Sequence, residues 1–305
     1  MSSLAPGLDH LTCCRNSGAK HRDSSEPYLL KEDKAMPLDK TLEEQLLHLK
    51  LDGWCVVEEV IPGDEVAAVR ESVAAATLRH QRPDAPANIG HRSGLINYDQ
   101  SFAPYLVRPG FIELIRAALG TNVRVSYTTA MINYPGNDRG GLHSDWPFNQ
   151  RNAGHIPAPY PDIVAHFTTL WMLSPFSVEN GATIIVPGSH RMETNPSAEG
   201  CSHDEDTPYP TEIQATGEAG SVLVMDSRMW HAAGANRTDS ARVAIAIRFA
   251  PWWLNLNGLR PGSRERARQM EATGLSENEV AAVKPEVFAG LPTEVQPLFE
   301  HWVEG

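Results

Sequence analysis

The chain has 305 residues, 41% of them hydrophobic, which is enough to bury a large core in one domain or at most two. A formal net charge of −12 and an isoelectric point near 5.4 argue against nucleic acid or an anionic membrane as partner, because both are bound through clustered lysine and arginine. Four cysteines, at 13, 14, 55 and 201, show neither a CxxC pair nor metal-finger spacing and read as free thiols of a reducing compartment. No apolar run reaches spanning length, and Asp, His, Arg and Glu interrupt the start of the chain where a secretory leader needs an apolar block. The expectation is a soluble intracellular protein, cytoplasmic, with a small-molecule substrate and no nucleic-acid or membrane partner.

Residues 1–37 are rich in Ser, Gly, Lys and Asp and predict a mobile tail without chemistry, ahead of a single domain over 38–305 with a helical C-terminal segment. Leu42, Leu46, Leu47 and Leu49 recur at helical spacing, with Glu43 and Glu44 near the start and Gly53 as the stop. A short strand follows at 54–57. Pro62-Gly63-Asp64 then opens a second helix whose Val66, Val69, Val73 and Ala76 form an apolar stripe. The stretch 81–110, full of Pro, Asn, Gly and Arg, reads as irregular, before a helix over 111–119 that ends at Gly120. Residues 122–134 form the first long strand, with Val123, Val125, Tyr127, Thr129, Met131 and Asn133 assigned to one face.

Further strand signals come at 163–173, 182–186, 221–225 and 242–249, short and not interleaved with long helices. That spacing predicts a mainly β, antiparallel, jelly-roll-like sandwich or barrel with a helical layer and argues against a doubly wound nucleotide fold. Gly140-Gly141 and the glycines at 217–220 form no dinucleotide or P-loop fingerprint. Helical pieces return at 264–271, 277–283 and 293–302.

The chemistry starts at Gly140-Gly141-Leu142-His143-Ser144-Asp145-Trp146. In an extended segment His143 and Asp145 share a face while Ser144 points away. An imidazole and a carboxylate so placed are two thirds of the 2-His-1-carboxylate triad that holds non-haem Fe(II) with open positions. A bare His-x-Asp also fits a solvated turn, so a second histidine is required. The proline-rich segment 146–162 is a candidate lid, or a plain surface excursion. His155 and His203 lie in polar or proline-rich loops and His166 in a strand, which narrows the choice to His190 and His231. Eleven residues beyond His231, the strand Arg242-Val243-Ala244-Ile245-Ala246-Ile247-Arg248-Phe249 carries an apolar odd face. Its even face sets Arg242 beside two alanines, which offers space next to a fixed charge suited to a small dicarboxylate. A strand-end surface arginine is the plain alternative. No comparable segment follows His190.

His143-x-Asp145, His231 and Arg242, with Asn180-Gly181-Ala182-Thr183-Ile184-Ile185-Val186-Pro187-Gly188-Ser189-His190 between them, resemble the phytanoyl-CoA dioxygenase family of iron/2-oxoglutarate oxygenases, which includes ectoine hydroxylase. The resemblance runs from about Trp54 to Phe249. It implies a double-stranded β-helix (jelly-roll or cupin-like) core, Fe(II) on His143, Asp145 and His231, the distal carboxylate of 2-oxoglutarate on Arg242, and O2 as oxidant. It places His190 in a structural turn, Asn133 against the cosubstrate, and Thr169 and Trp171 on the pocket wall. The sequence departs from the pattern at Ala233, where members often carry a serine. The implied activity is oxidation, foremost hydroxylation, of an unactivated C–H bond of a small or medium-sized metabolite, with release of succinate and CO2. Desaturation, ring closure or epimerisation would use the same triad. Trp146, Phe148 and Tyr160 are candidates for the substrate wall, and Arg139, Arg151 and Arg248 for polar anchors. A non-catalytic binding module is disfavoured because all three ligands and Arg242 are present, and a zinc hydrolase gives Arg242 no task.

Overall fold

The computed structural model describes residues 41–81, 88–149, 160–193, 195–196, 206–273 and 279–304. The expected tail over 1–37, His155, His203, Arg151, three of the four cysteines and the start of the expected helix at 277–283 lie outside the described residues.

Helix α1 (Leu42–Asp52) opens with a capping box, in which the Thr41 hydroxyl accepts from the Glu44 amide and the Glu44 carboxylate accepts from the Thr41 amide. It ends on Gly53 at φ 86°, a left-handed conformation that suits glycine. A side chain there would also collide with the imidazole ring of His190. Strand β1 (Trp54–Val57) and helix α2 (Val66–His80) follow, and the stripe Val66, Val69, Val73 and Ala76 is buried. The stretch expected to be irregular contains a strand, β2 (Ile89–Ser93), and single turns at Leu95–Asn97 and Ala103–Val107. Helix α3 (Phe111–Leu119) matches its expectation.

Strands β3 (Arg124–Asn133), β4 (Phe167–Met172), β7 (Val222–Asp226) and β9 (Arg242–Ala250) join β1 and β2 in a six-stranded antiparallel sheet, ordered β1-β7-β4-β9-β3-β2. Strands β5 (Thr183–Ile185), β6 (Ile213–Ala215) and β8 (His231–Ala232) form a small sheet ordered β6-β5-β8, which His143 extends by bridging to His231. Two antiparallel sheets with a cavity lined from both make a jelly roll, as the strand spacing predicts. Helix α4 (Arg264–Thr273) and a short α5 (Pro285–Gly290) complete the helices. The segment 293–302 folds as tight turns at Gln296–Leu298 and Glu300–Trp302, and Val283 bridges Val303 where the sequence predicts a helix.

Which face each residue takes decides what reaches the cavity. On β9 the alternation holds. Val243, Ile245, Ile247 and Phe249 pack into the helix-side core, while Arg242, Ala244, Ala246 and Arg248 line the cavity. On β3 the pairing with β9 shifts between Val125 and Tyr127, a bulge that breaks the expected single face. Val123 and Val125 join the helix-side core, and only Tyr127, Thr129, Met131 and Asn133 pair with the inward residues of β9. Thr169 and Trp171 pair with Ile247 and Ile245 and therefore face the helices, not the cavity. Thr168 and Leu170 take the inward positions that the family resemblance assigns to their neighbours.

The Trp171 ring is fully buried and meets Phe111 edge to face at 4.9 Å. Trp171→Ala is expected to lower unfolding free energy by about 3–5 kcal/mol. Chemical denaturation checks this, and Trp171→Phe should recover most of the loss.

Candidate active site

The backbones of His143 and His231 pair directly. Each amide donates to the other residue's carbonyl, at 3.0 and 2.9 Å, so both side chains project from the same side of one short ladder. Two residues on, the Asp145 amide donates to Ser227 O at 2.9 Å, which continues the attachment and returns the carboxylate to the face of His143. His143, Asp145 and His231 each present a ligand atom within 4.8 Å of the others, the one cluster of that kind among the described residues. Gly140 and Gly141 take no left-handed backbone. Gly140 pairs its amide with Ala233 O, and both glycines line the cavity, where a missing side chain leaves space.

Hydrogen bonds orient both rings. His143 Nδ1 lies 3.0 Å from Gly141 O and His231 Nδ1 lies 2.9 Å from Met229 O. A carbonyl only accepts, so each Nδ1 donates to it, which leaves Nε2 as the atom to face a metal. Burial lowers the pKa of His231 to about 4, with His143 adding to the effect, so it is neutral at physiological pH. Burial alone would raise the Asp145 carboxyl, but the Arg248 guanidinium, His231, His143 and a hydrogen bond from Thr168 hold it well below the usual carboxylate range. One buried carboxylate and imidazoles turned Nε2-inward are the donors a divalent metal needs.

A cavity of about 340 Å³ opens in front of this cluster. Met131, Leu170, Ala244 and Ala246 give it apolar walls, and Arg242 and Thr183 contribute polar groups. Arg242 is 4% exposed and has no hydrogen bond or carboxylate partner among the described residues, and its guanidinium stacks 4.3 Å over the Phe176 ring. Burial lowers its pKa to about 10, which leaves it charged at neutral pH. Such a charge calls for an anion. Thr183 is not singled out by the sequence. The register that pairs Ile184 with Ala232 and Ile185 with His231 sets it opposite Ala233, and it bears the one lining hydroxyl without a hydrogen bond among the described residues. Alternation from His231 across a two-strand ladder is the signal that could have found it.

Other expected positions have different tasks. Asn133 donates to Gly234 O at 3.0 Å and braces the corner beneath Arg242 without lining the cavity. Trp146 is buried in the helix-side core with its ring against His166 at 5.6 Å. Phe148 and Tyr160 pack on each other, and Phe148 also packs on Arg228, which Asp226 holds by a salt bridge of 2.7 Å. Neither Trp146 nor Phe148 lines the cavity. Arg139 is paired to Glu212 at 2.8 Å. Arg248 does line the cavity, but its guanidinium is committed to Asp145 and lies over the Tyr127 ring, so it is no free substrate anchor. His190 lies outside the cluster, packed against Gly53.

Residues 49–244 match the family model described as phytanoyl-CoA dioxygenase. The chain belongs to the phytanoyl-CoA dioxygenase family. Its members are iron- and 2-oxoglutarate-dependent oxygenases. Dioxygenase af480 of Aspergillus fumigatus is 29% identical over 218 residues, covering 68% of this chain and 66% of its own length, so the match spans just under two thirds of that relative. Among solved structures, HygX from Streptomyces hygroscopicus with nickel, 2-oxoglutarate and hygromycin B bound is similar in fold, with TM-score 0.56 and 18% identity over 70% of this chain and 88% of that one. The epimerase SnoN, in complex with Fe3+, alpha ketoglutarate and nogalamycin RO, has TM-score 0.55 and 19% identity over 69% of this chain and 83% of that one. The donor set of His143, Asp145 and His231 and the unpaired Arg242 fit the family's iron and 2-oxoglutarate.

The buried histidines also set a pH dependence. His231 and His166 have folded pKa values near 4 and 3, and that of His190 is also lowered, all chiefly by burial. The unfolded chain therefore binds more protons than the native one below the ordinary imidazole value of about 6.5. Unfolding free energy of the metal-free protein should be flat above about pH 7 and fall as pH drops from there towards 4. Urea titrations at fixed ionic strength measure this, and a stability that rises on acidification would contradict it.

Proposed function

We propose that this chain uses Fe(II), 2-oxoglutarate and O2 to hydroxylate an unactivated C–H bond of a small or medium-sized metabolite, with His143, Asp145 and His231 as the iron ligands. The observation that carries the reading is Arg242, a buried and unpaired guanidinium facing the same cavity as a three-donor metal cluster. A dicarboxylate satisfies both at once. Arg242, through its two-pronged guanidinium, and the Thr183 hydroxyl would hold its distal carboxylate, and His143, Asp145 and His231 would hold the metal for its keto-acid end. When bound, iron and 2-oxoglutarate supply with O2 the oxidant for the C–H bond, and succinate and CO2 leave.

The chain's own part is geometric and electrostatic. The ionised Asp145 and the imidazoles of His143 and His231 would hold the metal on one side of the cavity. Apolar walls from Met131, Leu170, Ala244 and Ala246 keep water from the reacting centre. The lining offers no unpaired charge besides Arg242 among the described residues, which favours a substrate whose reacting portion is uncharged. HygX and SnoN were each crystallised with a natural-product ligand, which supports a small-molecule substrate.

Anaerobic addition of Fe(II) and then 2-oxoglutarate should produce a visible metal-to-ligand charge-transfer band. No band with iron fully loaded would sink the proposal and leave the zinc-hydrolase reading. His143→Ala or Asp145→Ala should abolish iron binding and succinate release. Arg242→Gln should weaken 2-oxoglutarate by about 100-fold, an estimate from the 1.5–3 kcal/mol of a charge-assisted hydrogen bond, while sparing iron affinity. Thr183→Val should weaken it about 5-fold, as loss of one neutral donor. An unchanged 2-oxoglutarate affinity in Arg242→Gln would show that the cosubstrate lies elsewhere.

A further inference from the structure

His166 is a fully buried imidazole outside the cavity, and the chemistry proposed above gives it no task. Both of its nitrogens meet hydroxyls: Nδ1 is 2.7 Å from Ser227 Oγ and Nε2 is 2.8 Å from Ser126 Oγ. Ser227 Oγ is 3.0 Å from Thr168 Oγ1, which donates to Asp145 Oδ2 at 2.5 Å. The other carboxylate oxygen, Oδ1, is taken by Arg248, whose backbone carbonyl lies 3.3 Å from Ser126 Oγ. The contacts thus form a string that ends on Asp145 Oδ2, with Arg248 on Oδ1, and the single hydroxyl proton of Ser126 serves either His166 Nε2 at 2.8 Å or Arg248 O at 3.3 Å.

The direction of every donor in this string follows from its end. An ionised carboxylate only accepts, so the single hydroxyl proton of Thr168 points to Asp145. Ser227 must then donate to Thr168, and its own oxygen must accept from His166, which places the imidazole proton on Nδ1. His166 is neutral at physiological pH because burial, helped by the Arg248 charge, lowers its pKa to about 3, so Nε2 accepts from Ser126. Donors therefore run Ser126, His166, Ser227, Thr168, Asp145, each bond polarising the next in a buried, low-dielectric interior.

We propose that His166 is a positioning residue: through Ser227 and Thr168 it fixes the rotamer and the donor strength of Asp145, with Arg248 clamping the other oxygen. The oxygen that faces His231 Nε2, at 3.6 Å, is the one at the end of the string, so the string sets the ligand atom turned towards the metal position. This rests on Asp145 being an iron ligand, as proposed above; the tautomer of His166 does not.

Two measurements test it. In the metal-free, full-length protein, 15N NMR of His166, assigned by comparison with His166→Gln, should show a neutral ring protonated at Nδ1. An Nε2-protonated or charged ring at pH 7 overturns the donor order, whether or not iron binds. Second, Thr168→Val should weaken Fe(II) binding by about 10- to 100-fold, the usual cost of losing an outer partner of a metal ligand. Thr168→Ser should restore it. Ser227→Ala should cost about 10-fold alone and less than about 2-fold in the Thr168→Val background, where the string is already cut. Equal losses in both backgrounds, in protein shown to be folded by its thermal transition, would mean that Ser227 acts by packing and would overturn the string. A wild-type protein that fails to bind Fe(II) fails the functional proposal, while intact binding with additive variants fails only this one.

Discussion

Two backbone hydrogen bonds between His143 and His231 hold the site together. They join a segment that carries two of the three candidate metal donors to the short strand that carries the third, residues almost ninety positions apart in the chain. Because cross-strand partners share a face, the pairing alone decides that the two imidazoles converge. The remaining geometry follows from it. Asp145 is two residues along the same ladder, Ala233 and Gly140 meet across it, and Thr183 comes opposite Ala233 through the next strand. A one-residue slip would turn His143 away and put Leu142 or Ser144 in its place.

The second constraint is electrostatic. The site gathers several cationic or potentially cationic groups beside one carboxylate, and three of them resolve their charge differently. His231 is held neutral by burial, Arg248 is neutralised by Asp145, and Arg242 is left alone. An isolated buried guanidinium costs several kcal/mol unless something pairs with it. Both its stacking on Phe176 and the open space beside Ala244 and Ala246 make sense if a bound carboxylate completes the pair. The same logic explains why Arg248 does not serve as a substrate anchor: a charge already paired with the Asp145 carboxylate is not available to a second anion.

How much of the fold and site is legible in the sequence depends on burial contrast. The strand that starts at Arg242 alternates between charged or small residues and large aliphatic ones, so the residue order alone tells its two faces apart. In β4, Phe-Thr-Thr-Leu-Trp-Met is buried on both faces, and nothing in the order of residues says which threonine looks inward. The family resemblance assigns Trp171 to the pocket, whereas the helical layer, with Phe111 on the other side, takes it. β3 departs from its expected pattern for another reason. A bulge of one residue at Ser126 inverts the face of everything before it, and Val-Arg-Val-Ser-Tyr carries no glycine to announce it. Short strands β6 and β8 have too few residues for any periodicity to show. The metal cluster is legible because its chemistry needs particular residue types, whereas the string behind Asp145 is made of serines and threonines that occur throughout the chain.

The central claim is that one metal site and one anion site share a single cavity. Anomalous diffraction at the iron edge from crystals grown anaerobically with Fe(II) and 2-oxoglutarate tests it directly. One iron peak is expected, bonded to His143 Nε2, His231 Nε2 and an Asp145 oxygen, with 2-oxoglutarate extending from it so that its distal carboxylate lies on the Arg242 guanidinium. A metal bound through other residues, or a cosubstrate whose distal carboxylate leaves Arg242 unpaired, would contradict it.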